Sequence, residues 1–474
     1  MDKVSFYKIL TEQFPFQTTD KQEIVLQQLS DFIEDKNINS LYLLKGYAGT
    51  GKTTIIATLV KKLWKIKKSA VLLAPTGRAA KVISNYSNTE AFTIHKKIYM
   101  PKKQKNGGVQ FIMQPNKHKN TLFIVDEASM IPDAPSDSKL FENGSLLDDL
   151  MMYVYSGFRC KLLLIGDTAQ LPPVKLDISP ALDQNKLSLN YNKEVYKMEL
   201  DEVVRQEKES GVLHNATIIR DQLSDSFIND FKFKLDNYKD IHRLIDGYEI
   251  QEAIDECYSN YGKEDTAIIV RSNKRANQYN QQIRNKILFK EEELSPGDYL
   301  MVVKNNYFWL KSSSEAGFIA NGDVIEVLEI FGIKELYGFK FAEAKVRMVD
   351  YDRMRPFETV LLLDTIMAES PSLSYEESNR LYQEVMKDYE NESSNYRKFL
   401  KIKGNKYFNA LQVKFSYAIT CHKSQGGQWQ AVFVEKPYLP NGPSRDYYRW
   451  LYTAVTRAKE RLYLIGFKDS DFEN

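Results

Sequence analysis

Long apolar runs are missing from this sequence. No stretch of about eighteen consecutive apolar residues occurs, so no membrane-spanning helix is expected. Cysteine is scarce: the three thiols, Cys160, Cys257 and Cys421, lie far apart and form no CxxC pair. That excludes a zinc site of the usual ligand spacing and a disulfide framework, and it suits a reducing compartment. The opening MDKVSFYKIL has neither a long apolar run nor a small-residue cleavage site, so no secretory signal is expected and the chain reads as cytosolic. Neither sign of charge is in excess, with 65 basic and 63 acidic residues and a formal net charge of +2. A whole-chain basic surface for nucleic acid is therefore absent, and any such footprint must be local. What is there is a chain of 474 residues, 43% hydrophobic, 27% charged and 12% aromatic. That is enough for about three domains with real cores.

Short apolar runs alternate with amphipathic stretches in the first half. Leu41–Leu44, Ala70–Leu73, Leu122–Val125 and Lys161–Ile165 read as buried strands, with helical patterns at Thr53–Leu63 and Gly77–Ser84. Strands alternating with helices imply a parallel α/β sheet. A second set, Met198–Leu200, Thr266–Val270, Phe415–Ile419, Ala431–Val434 and Arg461–Ile465, suggests a second α/β domain split by an insertion at roughly 294–410. The insertion begins with short β-rich runs and Gly/Asn turns (SPGDYLMVVKNN, IANGDVIEVLEIFG), the pattern of a small barrel. Within it Ser372–Tyr396 is acidic and periodic, as in an exposed, solvated helix. Between Ala91 and Val125 there are seven lysines and no acid, and Asn106-Gly107-Gly108 forms a turn signal between candidate strands. A basic β-hairpin at about 95–120 is expected there; a solvated surface loop has the same composition.

Gly46-Tyr47-Ala48-Gly49-Thr50-Gly51-Lys52-Thr53 is a complete GxxxxGK[ST] loop, preceded by LYLL and followed by a helical stretch that opens Lys52-Thr53-Thr54. Glycines let backbone N–H groups face phosphate oxygens at a helix N-terminus. Lys52 then reaches the β- and γ-phosphates and the Thr53 hydroxyl serves Mg²⁺. The apolar run Phe123–Val125 ends in Asp126 and Glu127. Burying two acids at a strand end is costly without a partner. Asp126 suits Mg²⁺, directly or through water, and Glu127 suits orienting or deprotonating the attacking water. A third strand, Lys161–Ile165, leads into GDTAQLPP, where the amide of Gln170 is placed to sense a γ-phosphate.

GYAGTGKTT, LLAPTGRAAKVI, TIHKKI, VDEASM, GDTAQLPPV, LDEVVRQ, ITCHKSQGGQW and YTAVTRAKE follow one another from about Gln22 to Arg457. In this order they resemble motifs I, Ia, Ib, II, III, IV, V and VI of superfamily 1 helicases, in the 5′→3′ branch of RecD-like, Pif1-like and Dda-like enzymes. The resemblance implies two RecA-like P-loop NTPase domains, with a β-hairpin inserted in the first and a small SH3-like β-barrel in the second. The expected division is 1–190, then 191–293 with 411–474, and the barrel at 294–410. It implies an ATP-dependent DNA helicase using ATP and Mg²⁺, acting on single-stranded and forked duplex DNA, with monomer as the default because one chain supplies both halves of the cleft.

The resemblance also assigns roles. Gln22 corresponds to an adenine-reading glutamine, with Gln17 a neighbouring candidate. Gly46, Ala48, Gly49, Thr50, Gly51, Lys52, Thr53 and Thr54 hold the nucleotide. Arg205 and Arg457 bring positive charge to the γ-phosphate from the second domain. Pro75, Thr76, Thr93, His95, Ser272, Asn273, Thr420, His422 and Lys423 contact the strand, mostly its backbone. Gln425 and Gly426 couple that grip to the nucleotide. Phe111 or Tyr99, on the hairpin, would stack on the last base pair as a wedge. The chain is expected to lack room before Gln22 for a nuclease or large accessory domain. The phosphate loop and acid pair alone also suit a P-loop switch or an AAA-type remodeller of protein, but TIHKKI and ITCHKSQGG suit strand contact. A non-enzymatic nucleic-acid-binding subunit conflicts with the intact catalytic set. Backbone-reading loops do not discriminate RNA from DNA, since the 2′-OH does that.

Overall fold

A computed structural model describes residues 5–103, 109–132, 145–204, 210–224, 231–236, 238–311 and 314–473. Eight strands belong to the first half: β1 (Ser40–Gly46), β2 (Ser69–Ala74), β3 (Ala91–Thr93), β4 (Tyr99–Lys103), β5 (Val109–Met113), β6 (Thr121–Val125), β7 (Lys161–Gly166) and β8 (Glu194–Leu200). Six of them form a parallel sheet in the order β3-β2-β6-β7-β1-β8. β1 shows why its sequence is continuously apolar. Leu41 and Leu43 enter the core on one face, and Tyr42 and Leu44 enter the core on the other. Both faces of a parallel sheet are covered, so each such leucine contributes about 1.5–3 kcal/mol of burial.

β8 corrects the expected second set. Its residues Met198–Leu200 pair in parallel with β1, Leu44 opposite Met198 and Gly46 opposite Leu200. The strand therefore closes the edge of the first sheet. Its half-exposed, alternating residues are those of an edge strand, and Tyr196 packs 5.7 Å from Phe32 on the helix Asp20–Glu34.

The second α/β unit is a five-stranded sheet, order β16-β10-β17-β18-β9, also parallel. It is built from β9 (Ile241–Leu244), β10 (Thr266–Val270), β16 (Ala418–Thr420), β17 (Trp429–Glu435) and β18 (Ala458–Ile465). Between β10 and β16 the chain makes a closed barrel of β11 (Tyr299–Val302), β12 (Val324–Leu336), β13 (Phe339–Met348), β14 (Phe357–Leu362) and β15 (Leu411–Phe415). The run Phe415–Ile419 thus splits, its first residue ending a barrel strand and Ala418 opening a sheet strand. The architecture is two RecA-like domains with a barrel carried by the second.

Two further expectations change. The acidic segment is not a free helix: the helix Tyr375–Lys387 buries Leu381 and Val385, and the helix Asn395–Gly404 buries Ile402, all against Phe339, Phe341, Val360 and Leu362 of the barrel. Only its outer face is acidic, and Ser374 with Glu377 forms a capping box at its start. The basic hairpin exists as β4 paired antiparallel with β5, Tyr99 opposite Met113 and Pro101 opposite Phe111. Its Asn106-Gly107-Gly108 turn lies outside the described residues.

The barrel is anchored to the second domain through Asp298, which is fully buried. It accepts hydrogen bonds from Arg284 at 3.1 Å, Lys290 at 2.9 Å and the Tyr417 hydroxyl at 3.0 Å.

Candidate nucleotide cleft and strand-binding surfaces

Strand order places the chemistry. β6, β7 and β1 are neighbours, so the acid pair, the GDTAQ loop and the phosphate loop leave adjacent strand ends. Ligands of open parallel sheets bind outside those carboxyl ends. The phosphate loop turns through left-handed conformations at Gly49 (φ 73°) and Gly51 (φ 81°). At Gly51 a side chain is doubly excluded, because a Cβ would lie 2.4 Å from Gln22 Nε2. Lys52 and Thr53 open the helix Lys52–Lys62. Lys52 Nζ donates to Tyr47 O at 2.5 Å, and the Thr50 hydroxyl donates to the same carbonyl at 2.9 Å.

Gln22 is buried and serves the loop. It donates to Thr50 O at 3.0 Å and accepts from the Thr19 N–H at 3.1 Å as part of a capping box. One amide hydrogen and one lone pair remain for a base. Gln17 is exposed at the approach to that helix.

Asp126 accepts the Glu127 N–H at 2.9 Å. Burial, reinforced by the Glu127 charge and opposed by Lys52, pushes its carboxyl up to about 7. Glu127 itself has φ 54°, a left-handed conformation that costs a residue with a Cβ of order 1 kcal/mol or more. Gln170 is buried and, among the described residues, its Oε1 has no hydrogen-bond partner. A strained acid, a buried acid held near neutral and an orphaned amide oxygen share one cleft. Those are groups that a phosphate-bound cation and a polarised water would satisfy. Among the described residues no cluster of three or more His, Cys, Asp or Glu could hold a metal alone.

The second domain closes the other side through Gln425, expected to couple the strand grip to the nucleotide, and through Tyr452 and Thr453, which sequence reasoning did not single out. The Tyr452 hydroxyl accepts the Ala48 N–H at 2.8 Å and donates to Asp167 Oδ2 at 2.7 Å. The Leu171 N–H donates to Thr453 Oγ1 at 2.8 Å, and Gln425 Nε2 donates to Leu171 O at 2.6 Å. Tyr452 and Thr453 sit inside YTAVTRAKE, so the motif held the signal, while attention fell on its arginine. Arg457 is buried, but its described bonds stay within its own domain, to Thr453 O at 2.9 Å and Gly427 O at 3.3 Å. Arg205 lies outside the described residues; its predecessor Val204 donates to Gly49 O at 3.0 Å.

The expected strand contacts fall into three groups. Thr76, His422, Lys423 and Gln425 line one cavity of about 200 Å³ between both domains and the barrel. Lys423 bonds Asn321 of the barrel, and desolvation pushes its ammonium down to about 8. Gly426 (φ 72°) belongs to this seam: a Cβ there would lie 2.8 Å from Ala79 Cβ of the first domain. Arg78, another residue not foreseen, stacks 4.1 Å from the Trp429 ring across the same seam. Pro75 and Thr420 are half-buried beside it. Thr93 lines a second groove, of about 530 Å³, with Lys81 and Lys96 facing Glu315, Asp350 and Asp352 of the barrel. Ser272 and Asn273 are elsewhere: Ser272 caps the Arg275 N–H at 3.2 Å beside Arg271 and Lys436, and Asn273 donates to Glu369 O at 3.1 Å.

The hairpin aromatics differ from expectation. Tyr99 is buried and donates to Asp149 Oδ2 at 2.6 Å. Phe111 is buried 4.5 Å from Tyr307 and 6.3 Å from Phe318, rings that precede β12. His95 lies 5.9 Å from Tyr99 and 6.4 Å from Phe318, and desolvation there pushes its imidazole down to about 4. These rings fasten the hairpin to the sheet and the barrel, and Tyr99 and Phe111 are each only 8% exposed. Phe111→Ala is therefore expected to slow fork unwinding by loosening this joint, with single-strand-stimulated ATPase largely kept. Equal loss of both activities would show that the joint is not specific to strand separation.

Asp323 of the barrel meets the first turn of the helix Gly77–Ser87, since a Cβ on Gly77 would lie 2.8 Å from Asp323 Oδ1 and 2.4 Å from Tyr351 Oη. Burial pushes Asp323 up to about 7; the Ala320 N–H opposes this, Asp350 adds to it and the Tyr351 hydroxyl again opposes it. A carboxyl raised in the folded state favours folding when neutral, and that contribution is lost as pH climbs from its ordinary 3.8 through about 7. Asp323→Asn should then have a higher thermal midpoint than the parent at pH 8, with the gap narrowing at pH 5. A gap independent of pH would refute the assignment.

The fold and the cleft define a P-loop ATPase of two RecA-like domains. Residues 31–176 match an AAA domain model and residues 415–465 match a UvrD-like helicase C-terminal domain. An uncharacterized protein of Acanthamoeba polyphaga mimivirus is 25% identical over 93% of this chain and 98% of its own length. The ATP-dependent DNA helicase dda of Enterobacteria phage T4 is 23% identical, covering 89% of this chain and 93% of the phage protein. Among solved structures, Pif1 helicase from Bacteroides in complex with ADP-AlF3 and ssDNA aligns over 96% of this chain and 94% of that one, with 14% identity and a TM-score of 0.46. Among the described residues no helix is long and apolar enough to cross a membrane.

Proposed function

We propose that this chain is an ATP-dependent 5′→3′ DNA helicase that translocates on single-stranded DNA and separates duplex at a fork. The observation that carries this reading is the shared cleft. Ala48 of the phosphate loop and Leu171, next to Gln170, are bridged to Tyr452, Thr453 and Gln425 of the other domain, and Gln425 lies two residues from the strand-contact residue Lys423.

The residues present fit ATP with Mg²⁺. Backbone N–H groups of the loop and Lys52 bind phosphate oxygens, and Thr53 and Asp126 hold the cation. The cation, when bound, neutralises phosphate charge and draws Asp126 into its ionised form. Glu127 orients a water and takes its proton at a carboxylate oxygen. Gln170 spends its free oxygen on the same water. Arg457, once released from Thr453 and Gly427, adds positive charge from the facing domain, joined by Arg205. The Tyr452–Ala48 and Gln425–Leu171 bonds report whether the cleft is closed, and Gly426 against Ala79 passes that state to the strand seam. Each ligand state then selects one arrangement of the two domains.

The translocating strand runs along the seam between barrel and first domain, past Thr76, Thr93, His422 and Lys423, in a chain that works as a monomer. Pathways of DNA repair or recombination suit this activity. The test is ATP hydrolysis with and without single-stranded DNA, together with unwinding of forks bearing a 5′ or a 3′ tail. Strong stimulation with unwinding from the 5′ tail alone is expected. Hydrolysis indifferent to DNA but stimulated by RNA would reassign the substrate, and indifference to both would favour a remodelling ATPase.

A further inference from the structure

A groove of about 830 Å³ runs outside the strand seam, between the hairpin, the start of the barrel and the two-helix cap. Phe111 forms one end of it. Its walls carry the rings of Tyr307, Phe308, Tyr382 and Phe408, with Lys304 and Lys403 among the lining residues, and no lining residue is acidic. Phe308 is 39% exposed, and Lys304 and Lys403 are both exposed. Among the described residues neither lysine has a carboxylate partner, although the chain is rich in surface acids. Acids of the adjacent helix and its C-cap are engaged elsewhere, though Glu376 has no described partner: Glu377 caps the Ser374 N–H at 2.8 Å, Glu384 pairs with Lys387 at 2.7 Å and Asp388 accepts from Tyr337.

We propose that this groove binds the displaced single strand at the fork. The inference rests on the helicase reading above. Aromatic faces with ammonium groups and no carboxylates are the chemistry of sequence-tolerant single-strand binding, in which bases stack and phosphates pair. The volume lies within the range of about 300–1,000 Å³ common to ligand clefts. Continuity argues which strand: the groove begins at Phe111, on the hairpin, and shares no lining residue with the seam lined by Thr76, His422 and Lys423. A strand peeled off at the hairpin meets this surface first. The amides Asn306 and Asn409 hold the groove in shape, since Asn306 Nδ2 and the Trp309 indole both donate to Asn409 O at 2.8 Å. The basic helix Asn395–Gly404, which follows the acidic segment, supplies one lysine.

The experiment compares three 5′-tailed DNA substrates under single-turnover conditions. The displaced strand carries an ordinary single-stranded arm, an abasic neutral-backbone arm of the same length, or no arm. The intact protein should unwind severalfold more of the ordinary fork per encounter than of the other two. In the triple variant Lys304→Glu, Lys403→Glu, Phe308→Ala that advantage should vanish, with unwinding of the armless substrate and single-strand-stimulated ATPase retained. These are exposed positions, and retained ATPase reports that the variant is folded. Should the variant lose ATPase, photocrosslinking from thiothymidine in the arm decides: crosslinks to residues 304–308 in the intact protein support the site, and crosslinks confined to other segments overturn it. An arm advantage that persists in the variant, or its absence in the intact protein, also overturns it. A groove that instead docks a protein gives that last result. Failure of the helicase reading is distinct, showing as an intact protein with no single-strand-stimulated ATPase.

Discussion

Lys52→Ala should abolish ATP turnover, by at least about a hundredfold, the usual cost of losing a preorganised charge at developing negative charge. The side chain makes one described hydrogen bond, to Tyr47 O, and Thr50 donates to the same carbonyl, so the loop keeps its shape without it. Thermal stability should change little and single-strand binding should remain measurable, because Thr76, His422 and Lys423 stand on other elements. Steady-state hydrolysis, a melting curve and an anisotropy titration with labelled DNA read the three quantities. Near-normal turnover would remove the loop from catalysis. Joint loss of turnover and DNA binding would show instead that the lysine is structural.

Glu127→Gln should separate binding from chemistry. Glutamine keeps the size and backbone of glutamate and loses only the charge and basicity, so nucleotide affinity should be kept or raised, since one acid beside the phosphates disappears. Turnover should fall by about 10²–10⁴-fold, the range of a general base. The variant should accumulate with ATP bound and the cleft closed, which a filter-binding assay for unhydrolysed nucleotide would detect. Ordinary turnover would move the base to another residue. The same change removes the negative charge that, after burial, raises the Asp126 carboxyl, so Asp126 should ionise more readily in the variant.

The local chemistry was legible because its signals are local. The phosphate loop, the acids after Phe123–Val125 and the amide at Gln170 each follow a continuous apolar strand, and the parallel sheet makes those strands neighbours. What escaped depends on partners remote in sequence. Met198–Leu200 could pair with either sheet, and only the register with β1 decides it. Residues 372–396 look solvated because acids dominate the count, yet Leu381 and Val385 at one-turn spacing are what the barrel buries. Tyr99 and Phe111 read as free aromatics on a basic hairpin, because no local pattern announces Asp149 or Tyr307. Tyr452 was overlooked beside Arg457, as hydroxyls carry a weaker motif signal than an arginine.

The barrel's attachments are unequal. Toward the second domain it is fixed by the buried Asp298 cluster, where removing one partner costs about 3–5 kcal/mol. Toward the first it is held partly by exposed pairs such as Lys81 with Asp352, worth about 0–1 kcal/mol, and partly by buried contacts, Phe111 against Tyr307 and Phe318 and Gly77 against Asp323. The barrel is therefore a bracket bolted to the second domain and latched by aromatic rings to the first. On the helicase reading, a closed single-stranded circle is admitted sideways only when that latch opens.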